Sequence, residues 1–472
     1  MFVLKNTIIL NTKEIVHLYW RAGFGITSNE LNKVKSKSKS KIIDNLLFKS
    51  KNIKPLQLNL SKFSVLKNKS RKELKEEFPE KEIRELKRKS QKKVKDLNYA
   101  WVDRLSGENA SLREKMVLFW ANVFVCRDNN IFHIQQYNNT LREHALGDFR
   151  DFVKAIAKTA SMSKYLNNKQ NVKKKPNENF ARELMELFTL GIGNYTEQDI
   201  KESARAFTGW SFKNNGDFKL RKGQHDFGKK TFLGKTGNFN GEDIIDIILE
   251  QRECARFICT KIYKYFVNPV INEKYLEEIT TIFYKEYDIQ KLISHIFNSK
   301  WFYNDENIGV KIKSPLELLT GIRKIVPITF RNKKRIFYLQ KMMGQVLLYP
   351  DNVSGWKGNK SWIDSNTLMF RMKLASVLLN DSVINLEEKG DFEDSFEKYY
   401  KTTKKKYQYI KTTKNWEDFE SQYGSLKSKE LRDLLIISKL DKDTEILLDK
   451  LNVKSNKDYC VQLMSIPEYQ LC

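Results

Sequence analysis

The sequence has few of the residues that most often build disulfide and metal sites. Of its 472 residues, only five are cysteine and five are histidine. The cysteines are odd in number and form neither a CxxC pair nor a zinc ribbon, so we predict free thiols without a disulfide framework. No two histidines have the spacing of a zinc protease, which makes any metal signal weak.

Other absences narrow the functional class. No uncharged run approaches the ~20 residues of a membrane-spanning helix. The apolar N-terminal segment is interrupted by Lys5, Asn6 and Asn11 and has no cleavage site of small residues, so we predict no signal peptide. No GxSxG motif occurs, and Lys229 stands where a phosphate-binding loop needs its first glycine, which argues against α/β-hydrolase and P-loop chemistry.

Positive charge is the most unusual feature of the composition. The formal net charge is +27, from 85 Lys and Arg against 58 Asp and Glu. Such a balance fits a surface for an acidic partner, such as nucleic acid, a membrane or an anionic polysaccharide. It also fits a Lys-, Asn- and Ile-rich composition spread over the surface, and the dispersal of the lysines favours this second interpretation.

Apolar residues recur at helical intervals over most of the chain, which predicts a mainly α fold. The exception is 211–241, where Asn215-Gly216 between short alternating runs predicts a small β-hairpin and a Gly-rich loop. Segment 67–97 mixes acidic with basic residues and is broken by Pro79, which predicts exposed charged helices. We divide the chain into a helical core, 1–380, and a Lys-rich helical C-terminal region, 381–472, packed on that core.

The most informative stretch, residues 176–210, is "PNENFARELMELFTLGIGNYTEQDIKESARAFTGW". Its apolar residues form two stripes, which predicts two helices, 179–190 and 197–208, packed face to face. The residues of the predicted contact are Phe180, Leu184, Leu187, Ile200, Ala204 and Phe207.

Acidic and basic residues of the same stretch are the first candidates for a site. Glu178, Arg182 and Glu186 follow at intervals of four, which is typical of a solvated acid–base ladder. Glu183 lies beside the apolar stripe, where burial would raise its pKa toward the range of a general base. Because a buried carboxylate needs a partner, we expect Arg182 or Arg205 to pair with Glu183.

The next candidates, His225 and Asp226, lie in the Gly-rich loop region, and loops often carry functional residues. The hairpin before them is short enough for this loop to fold back over the helix pair. We therefore predict one polar pocket on the helix pair. Its predicted members are Glu183, Arg205, His225 and Asp226, with His144 as a fifth.

The predicted pocket allows three interpretations. Its acids and histidines could carry acid–base catalysis, with Arg182 and Arg205 binding the substrate. They could instead hold a divalent metal ion together with Glu202. In the third interpretation these charges form only the polar faces of two helices, with no site.

Two tryptophans in the Gly-rich loop 355–365, Trp356 and Trp362, are further candidates for substrate binding. Exposed indoles could form a platform for sugar rings, whereas buried indoles would only anchor the loop.

Several blocks together resemble the large bacterial family called domain of unknown function 1800. The blocks, in chain order, are "HLYWRAGFG" (17–25), "REKMVLFW" (113–120), "LREHALGDFRDF" (141–152), the stretch 176–210, "HDFGKKTFLGKTGNFNG" (225–241), "MGQVLLYPDNVSGWKGNKSWI" (343–363) and "LMSIPEYQLC" (463–472). The resemblance spans almost the whole chain, and it implies a mainly helical fold. It implies no reaction, because the activity of that family is not established.

The resemblance also implies a partner and a location. Such proteins are often encoded beside members of domain-of-unknown-function family 1501, which look like sulfatases or alkaline phosphatases, and many act at the cell envelope. We therefore expect a hydrolase-like enzyme, or an accessory protein, that works with a sulfatase-like partner on an anionic surface polymer. The alternatives are a non-enzymatic scaffold or chaperone for that partner and, weakest, a nucleic-acid-binding protein. The chain would stay in the cytoplasm or be exported together with its partner.

This sequence departs from the family pattern at one place. After "LFW" the resemblance leads us to expect His-x-His, but the chain has Ala121-Asn122-Val123. If those imidazoles bind a metal or relay protons in relatives, this member lacks them, which weakens the enzyme interpretation.

Overall fold

The protein is described by a computed structural model for residues 8–107, 112–380, 410–451 and 453–472, without the side chain of Arg71. As the periodicity predicts, the fold is mainly α. Helices α1 to α12 span Thr12–Ala22, Ser28–Val34, Lys39–Lys49, Ser64–Asn68, Arg71–Glu77, Glu80–Ser106, Leu112–Val123, Ile131–His144, Phe149–Ala157, Ala160–Tyr165, Asn179–Glu183 and Glu197–Ala206. Helices α13 to α23 span Gly241–Leu249, Arg252–Phe266, Glu273–Glu286, Ile289–Asn298, Pro315–Ile325, Lys334–Met342, Ser365–Leu379, Trp416–Tyr423, Ser428–Leu435, Lys442–Lys450 and Asn456–Leu463.

The strands of the described chain form three small antiparallel pairs. Strands β1 to β6 span Trp210–Phe212, Phe218–Leu220, Lys230–Phe232, Lys235–Gly237, Ile328–Phe330 and Thr412–Lys414. The first pair is the predicted hairpin, with Gly216 at φ +93° in its turn. The second pair, β3 with β4, forms the predicted Gly-rich loop region. The third pair was not predicted, because β5 and β6 are far apart in the sequence.

Local sequence signals determine several helix ends. Thr27 caps α2 and Thr196 caps α12, and in each case the acid three residues later bonds back to the cap backbone N–H. Pro79 lies between the end of α5 and the start of α6. Because proline has no N–H, α5 cannot continue its hydrogen bonds through this residue.

Helix α7 lies at the centre of the core. Trp120 is fully buried, packs against the rings of Phe124 and Phe152, and donates its indole N–H to the carbonyl of Ala145 at 3.0 Å. Large aromatic side chains bury much apolar surface, and a bonded indole N–H removes the cost of burying its polar atom.

The helix pair of the central stretch packs as predicted, with one change in geometry. Phe180, Leu184, Ile200, Ala204 and Phe207 are buried, whereas Leu187 is only half-buried. The ring centroids of Phe180 and Phe207 are 4.9 Å apart. Helix α11 ends early, and residues Leu184–Thr189 continue it as a π-helix, a wider turn that periodicity alone does not predict.

The C-terminal residues pack on the core that the earlier residues form. Helix α21 contacts α1, α20 contacts α2, and α23 contacts α19. Backbone hydrogen bonds join Lys311 to Cys472 in both directions, at 3.1 and 2.8 Å. The predicted boundary at 380/381 adjoins residues 381–409, which lie outside the described chain.

Candidate functional site

Arg205 on α12 joins two carboxylates. Its Nη1 donates to both carboxylate oxygens of Glu202, at 3.0 and 2.9 Å. Glu202 lies one helical turn earlier on the same helix. Its Nε donates to Oδ2 of Asp226 at 2.8 Å, and Asp226 lies in the loop that follows β2. A guanidinium presents donors in a fixed fork, so one arginine can hold the helix and the loop together. We call Glu202, Arg205 and Asp226 the acid–arginine–acid bridge.

Thr208 and His225 extend this bridge. The Nδ1 atom of His225 lies 2.7 Å from the carbonyl oxygen of Thr208, so Nδ1 carries the proton and donates. The hydroxyl of Thr208 accepts the N–H of Asp226 at 2.8 Å. Gly209 has φ +74°, and a Cβ there would lie 2.8 Å from the carbonyl oxygen of Arg221, so only glycine fits this close approach.

The same helix binds the backbone of the loop further along. Glu202 accepts the N–H of Thr231 at 3.0 Å, and Asp199 accepts the N–H of Leu233 at 2.8 Å. Burial alone would raise the pKa of Asp226, but hydrogen bonds from Arg205 and from the N–H of Gly228 outweigh it and lower that pKa. The carboxylate is therefore held in its charged form and does not act as a proton donor near neutral pH.

The structure places Arg205, His225 and Asp226 together, but not Glu183. The predicted ion pair of Glu183 with Arg182 or Arg205 is wrong. Arg182 instead pairs with Glu178 at 3.2 Å and with Glu197 at 2.8 Å, on the solvent side of the pair. Arg205 pairs with the two acids of the bridge, Glu202 on its own helix and Asp226 on the loop.

Glu183 lies in a different environment. It is half-buried at the end of α11, and within the described chain its carboxylate has no hydrogen bond or ion pair. Burial, and then the nearby charge of Glu186, raise its pKa against the opposing charge of Arg182. The charge of Glu183 in turn contributes to the raised pKa of Tyr165, the last residue of α10. Glu183 therefore lies outside the acid–arginine–acid bridge, at the start of the π-helix.

The other predicted site residues have structural surroundings. The His144 ring stacks on Phe152 at a centroid distance of 5.7 Å, and among the described residues no hydrogen bond or ion pair joins it to the bridge. Trp356 and Trp362 are 5% and 7% exposed, so they have the burial of loop anchors and offer little face for a sugar ring.

The residues that stand where His-x-His is expected, 121–123, have a packing role. Ala121 and Val123 are buried. Asn122 between them donates to the carbonyl of Trp356 at 3.1 Å and accepts its N–H at 2.6 Å. This part of α7 therefore anchors the loop that carries Trp356.

The most strongly perturbed charges lie in a buried cluster that the sequence analysis did not find. Its basic residues, all buried, are Arg21, Lys115, Lys311, Lys313 and Arg371. The acid Glu317 accepts hydrogen bonds from Lys115 and from Lys311. The one sequence signal is Lys115 inside the apolar run of α7, since lysine is rarely fully buried without a partner. We call these six residues the buried charge cluster.

Burial determines the protonation of this cluster. It lowers the pKa of Lys115 to about 8 and the pKa of Lys313 to about 7, although nearby negative charges oppose both shifts. Lys313 donates to the carbonyl of Tyr469 at 2.6 Å, and Arg371 donates to Gln470 at 3.1 Å. These two bonds fasten the last residues to the segment just before α17 and to α19.

Among the described residues, no three His, Cys, Asp or Glu side chains come together as a metal-ion site. No helix in these residues has the length and apolar character to span a bilayer.

Comparison with known proteins gives one match. The family model described as "Protein of unknown function (DUF1800)" matches residues 17–471. No curated protein and no solved structure matches the chain.

Proposed function

The chain belongs to the DUF1800 family of proteins of unknown function, and on this premise we propose that it is an envelope-associated accessory protein. In this role it binds an anionic surface polymer and presents it to a sulfatase-like partner enzyme of domain-of-unknown-function family 1501. The partner, the polymer and the location come from the family resemblance.

The observation that carries the accessory role is the bonding of the predicted catalytic residues. Asp226 is held charged by Arg205, and His225 uses Nδ1 to bind the carbonyl of Thr208. The first bond ties the loop to α12, and the second ties it to Thr208, just beyond the end of that helix. A general acid or base must exchange a proton with a substrate, and groups that hold the loop in place are poorly suited to that.

The net charge supports the proposal that the ligand is an anionic polymer. With +27 charges, the protein attracts polyanions, and it favours fast association with them at low salt. A sulfated or carboxylated polymer is also the kind of substrate that a sulfatase-like partner would act on.

A hydrolase is the second candidate, and Glu183 favours it. A half-buried carboxyl group whose pKa is raised by burial has the properties of a general acid. The adjoining π-helix fits this candidate, because π-helices often occur at functional sites.

We predict that Glu183→Gln leaves the activity of the protein–partner pair unchanged. The test combines the purified protein with the family-1501 protein encoded beside it and measures release of sulfate or phosphate from isolated envelope polymer. In the accessory role, the wild type increases the rate of the partner, and the variant does so equally. The matched control is Glu186→Gln, one turn further along the same helix.

Two results would contradict this proposal. Loss of product release with Glu183→Gln but not with Glu186→Gln would favour the hydrolase. Binding of the partner on a sizing column without any effect on its rate would favour a scaffold or chaperone.

A further inference from the structure

Helix α6 carries a stripe of positive charge. Lys81, Arg84, Arg88, Lys92 and Lys95 follow at intervals of three or four residues, so they share one face of the helix. All five side chains are exposed. At about 1.5 Å of rise per residue, the stripe is about 21 Å long. We call these five residues the cationic stripe.

The orientation of the stripe is set by the opposite face of α6. Ile83, Val94 and Leu97 are buried there, and the helix packs against α8, α17 and α18. Burial of this apolar face holds the helix in one rotation, which turns the stripe toward solvent.

Acids near the stripe are largely neutralised by other residues. Glu85 pairs with Lys89 at 2.8 Å, and Asp96 pairs with Lys93 at 2.7 Å, and neither lysine belongs to the stripe. Within the stripe, Arg84 lies 3.9 Å from Glu80, and Lys95 lies 5.0 Å from the centre of the Phe337 ring.

The middle of the stripe is not arranged for helix stability. Lys81, Arg88 and Lys92 have no ion pair within the described chain. Arg84, Arg88 and Lys92 are four residues apart, and like charges at that spacing destabilise a helix. This row of exposed cations on a fixed face is therefore available to an acidic partner.

We propose that the cationic stripe binds a linear acidic polysaccharide, and this choice of ligand rests on the proposed function. The stripe presents one cation about every 5 Å along the helix axis. That spacing suits a polymer with one carboxylate or sulfate per sugar residue. Duplex DNA carries one charge about every 1.7 Å of its axis with both strands counted, or about every 3.4 Å on one strand, which is denser than the stripe. None of the five stripe residues is aromatic, and the Phe337 ring beside Lys95 is half-buried, so the stripe offers little surface on which single-stranded bases stack.

The experiment measures binding of the whole protein, without its partner, to chondroitin sulfate, alginate and a DNA duplex. The stripe variant is K81Q/R88Q/K92Q, which removes the three unpaired cations. The matched control is K429Q/K442Q/K450Q, which removes the same charge from exposed positions on α21 and α22. A charge-retaining variant, R88K, accompanies them, and circular dichroism checks that each variant keeps its helical content.

We expect the stripe variant to bind the two polysaccharides about tenfold more weakly or worse, since basic residues near an anionic surface contribute strongly to binding. Its affinity should also depend less steeply on salt, because fewer ions are released on binding. The control triple variant and R88K should bind as the wild type does.

Each contrary outcome has a separate meaning. Equal weakening in both triple variants would overturn the stripe and leave a diffuse charged surface, with the proposed function intact. Failure of the wild type to bind either polysaccharide would overturn both proposals. Stripe-dependent binding to DNA alone would overturn the polysaccharide in favour of nucleic acid.

Discussion

At the scale of single residues, the buried charge cluster links stability to pH. Lys313 has a folded-state pKa of about 7, whereas an unfolded lysine has a pKa of about 10.4. Between these two values the unfolded chain holds a proton that the folded chain has released. Unfolding then takes up a proton, so this lysine makes the protein more stable as pH rises through that window.

We therefore predict that Lys313→Met flattens the rise of unfolding free energy with pH above about 7. Each such lysine contributes a slope of up to about 1.4 kcal/mol per pH unit. Urea unfolding at a series of pH values measures it. The exposed Lys442→Met is the control and should leave the slope unchanged.

Buried thiols act in the opposite direction, and the comparison with wild type removes their effect. Burial raises the pKa of Cys254 to about 12, so above about 8.5 the unfolded chain loses protons that the folded chain keeps. The thiols are present in both proteins, so the difference between variant and wild type reports Lys313. Parallel curves for Lys313→Met and wild type would contradict the buried, neutral lysine.

The same scale shows the limits of prediction from sequence. Spacing along the chain correctly brought Arg205 near Asp226, because the connecting hairpin is short. It could not give the surroundings of Glu183, since one step around a helix decides whether a carboxylate meets an arginine or stays half-buried without an ion pair. The charge cluster was missed for a similar reason. Lys115 and Glu317 are far apart in the sequence, and only tertiary packing joins them.

At the scale of elements, the sequence predicts that a helix exists better than it predicts the geometry of that helix. The capping acids of α2 and α12 act within four residues, so their effect can be read directly from the chain. The π-helix at Leu184–Thr189 could not be found this way. The apolar residues do not distinguish the two helix types over so short a segment. The wider turn appears in the backbone bond from the Leu190 N–H to the Met185 carbonyl, at 2.8 Å.

The element-scale prediction concerns the contact between α11, its π-helix and α12. Leu184 is 1% exposed, whereas Leu187 in the same turn is half-buried. Leu184→Ala should cost about 2–5 kcal/mol of unfolding free energy, because it removes buried apolar surface and leaves a cavity. Leu187→Ala, the matched control, should cost clearly less. Denaturant unfolding of both variants measures the difference, and equal costs would show that the two positions are equally packed.

At the scale of the whole molecule, contacts of the C-terminal residues determine how many units unfold separately. We predicted one core with the region 381–472 packed on it. The strand pair β5–β6, the contacts of α20 and α21 with α1 and α2, and the buried charge cluster all join late residues to early ones. Such distributed contacts favour a single cooperative transition over two independent domains.

The whole-molecule prediction uses Phe419, which is fully buried on α20 with its ring centre 4.9 Å from that of Tyr423. Phe419→Ala should cost about 3–5 kcal/mol. If the chain unfolds as one unit, the best-protected amides of α1 and of α23 should lose equal amounts of protection against hydrogen exchange. This should hold although α1 lies at the other end of the sequence. Hydrogen exchange measured by mass spectrometry resolves the two helices.

Ile446→Ala on α22 provides the matched control, because Ile446 is 51% exposed and its loss should leave both helices unchanged. Faster exchange confined to α20–α23 in Phe419→Ala would mean that the C-terminal helices open by themselves, as a separate domain does. Equal loss of exchange protection in α1 and α23 would mean that the substitution lowers the free energy of unfolding of the whole molecule. In that case the cationic stripe, the acid–arginine–acid bridge and the buried charge cluster are features of one cooperative body, and a severe core variant would abolish polymer binding by unfolding the protein. This is why the stripe is tested with exposed substitutions alone.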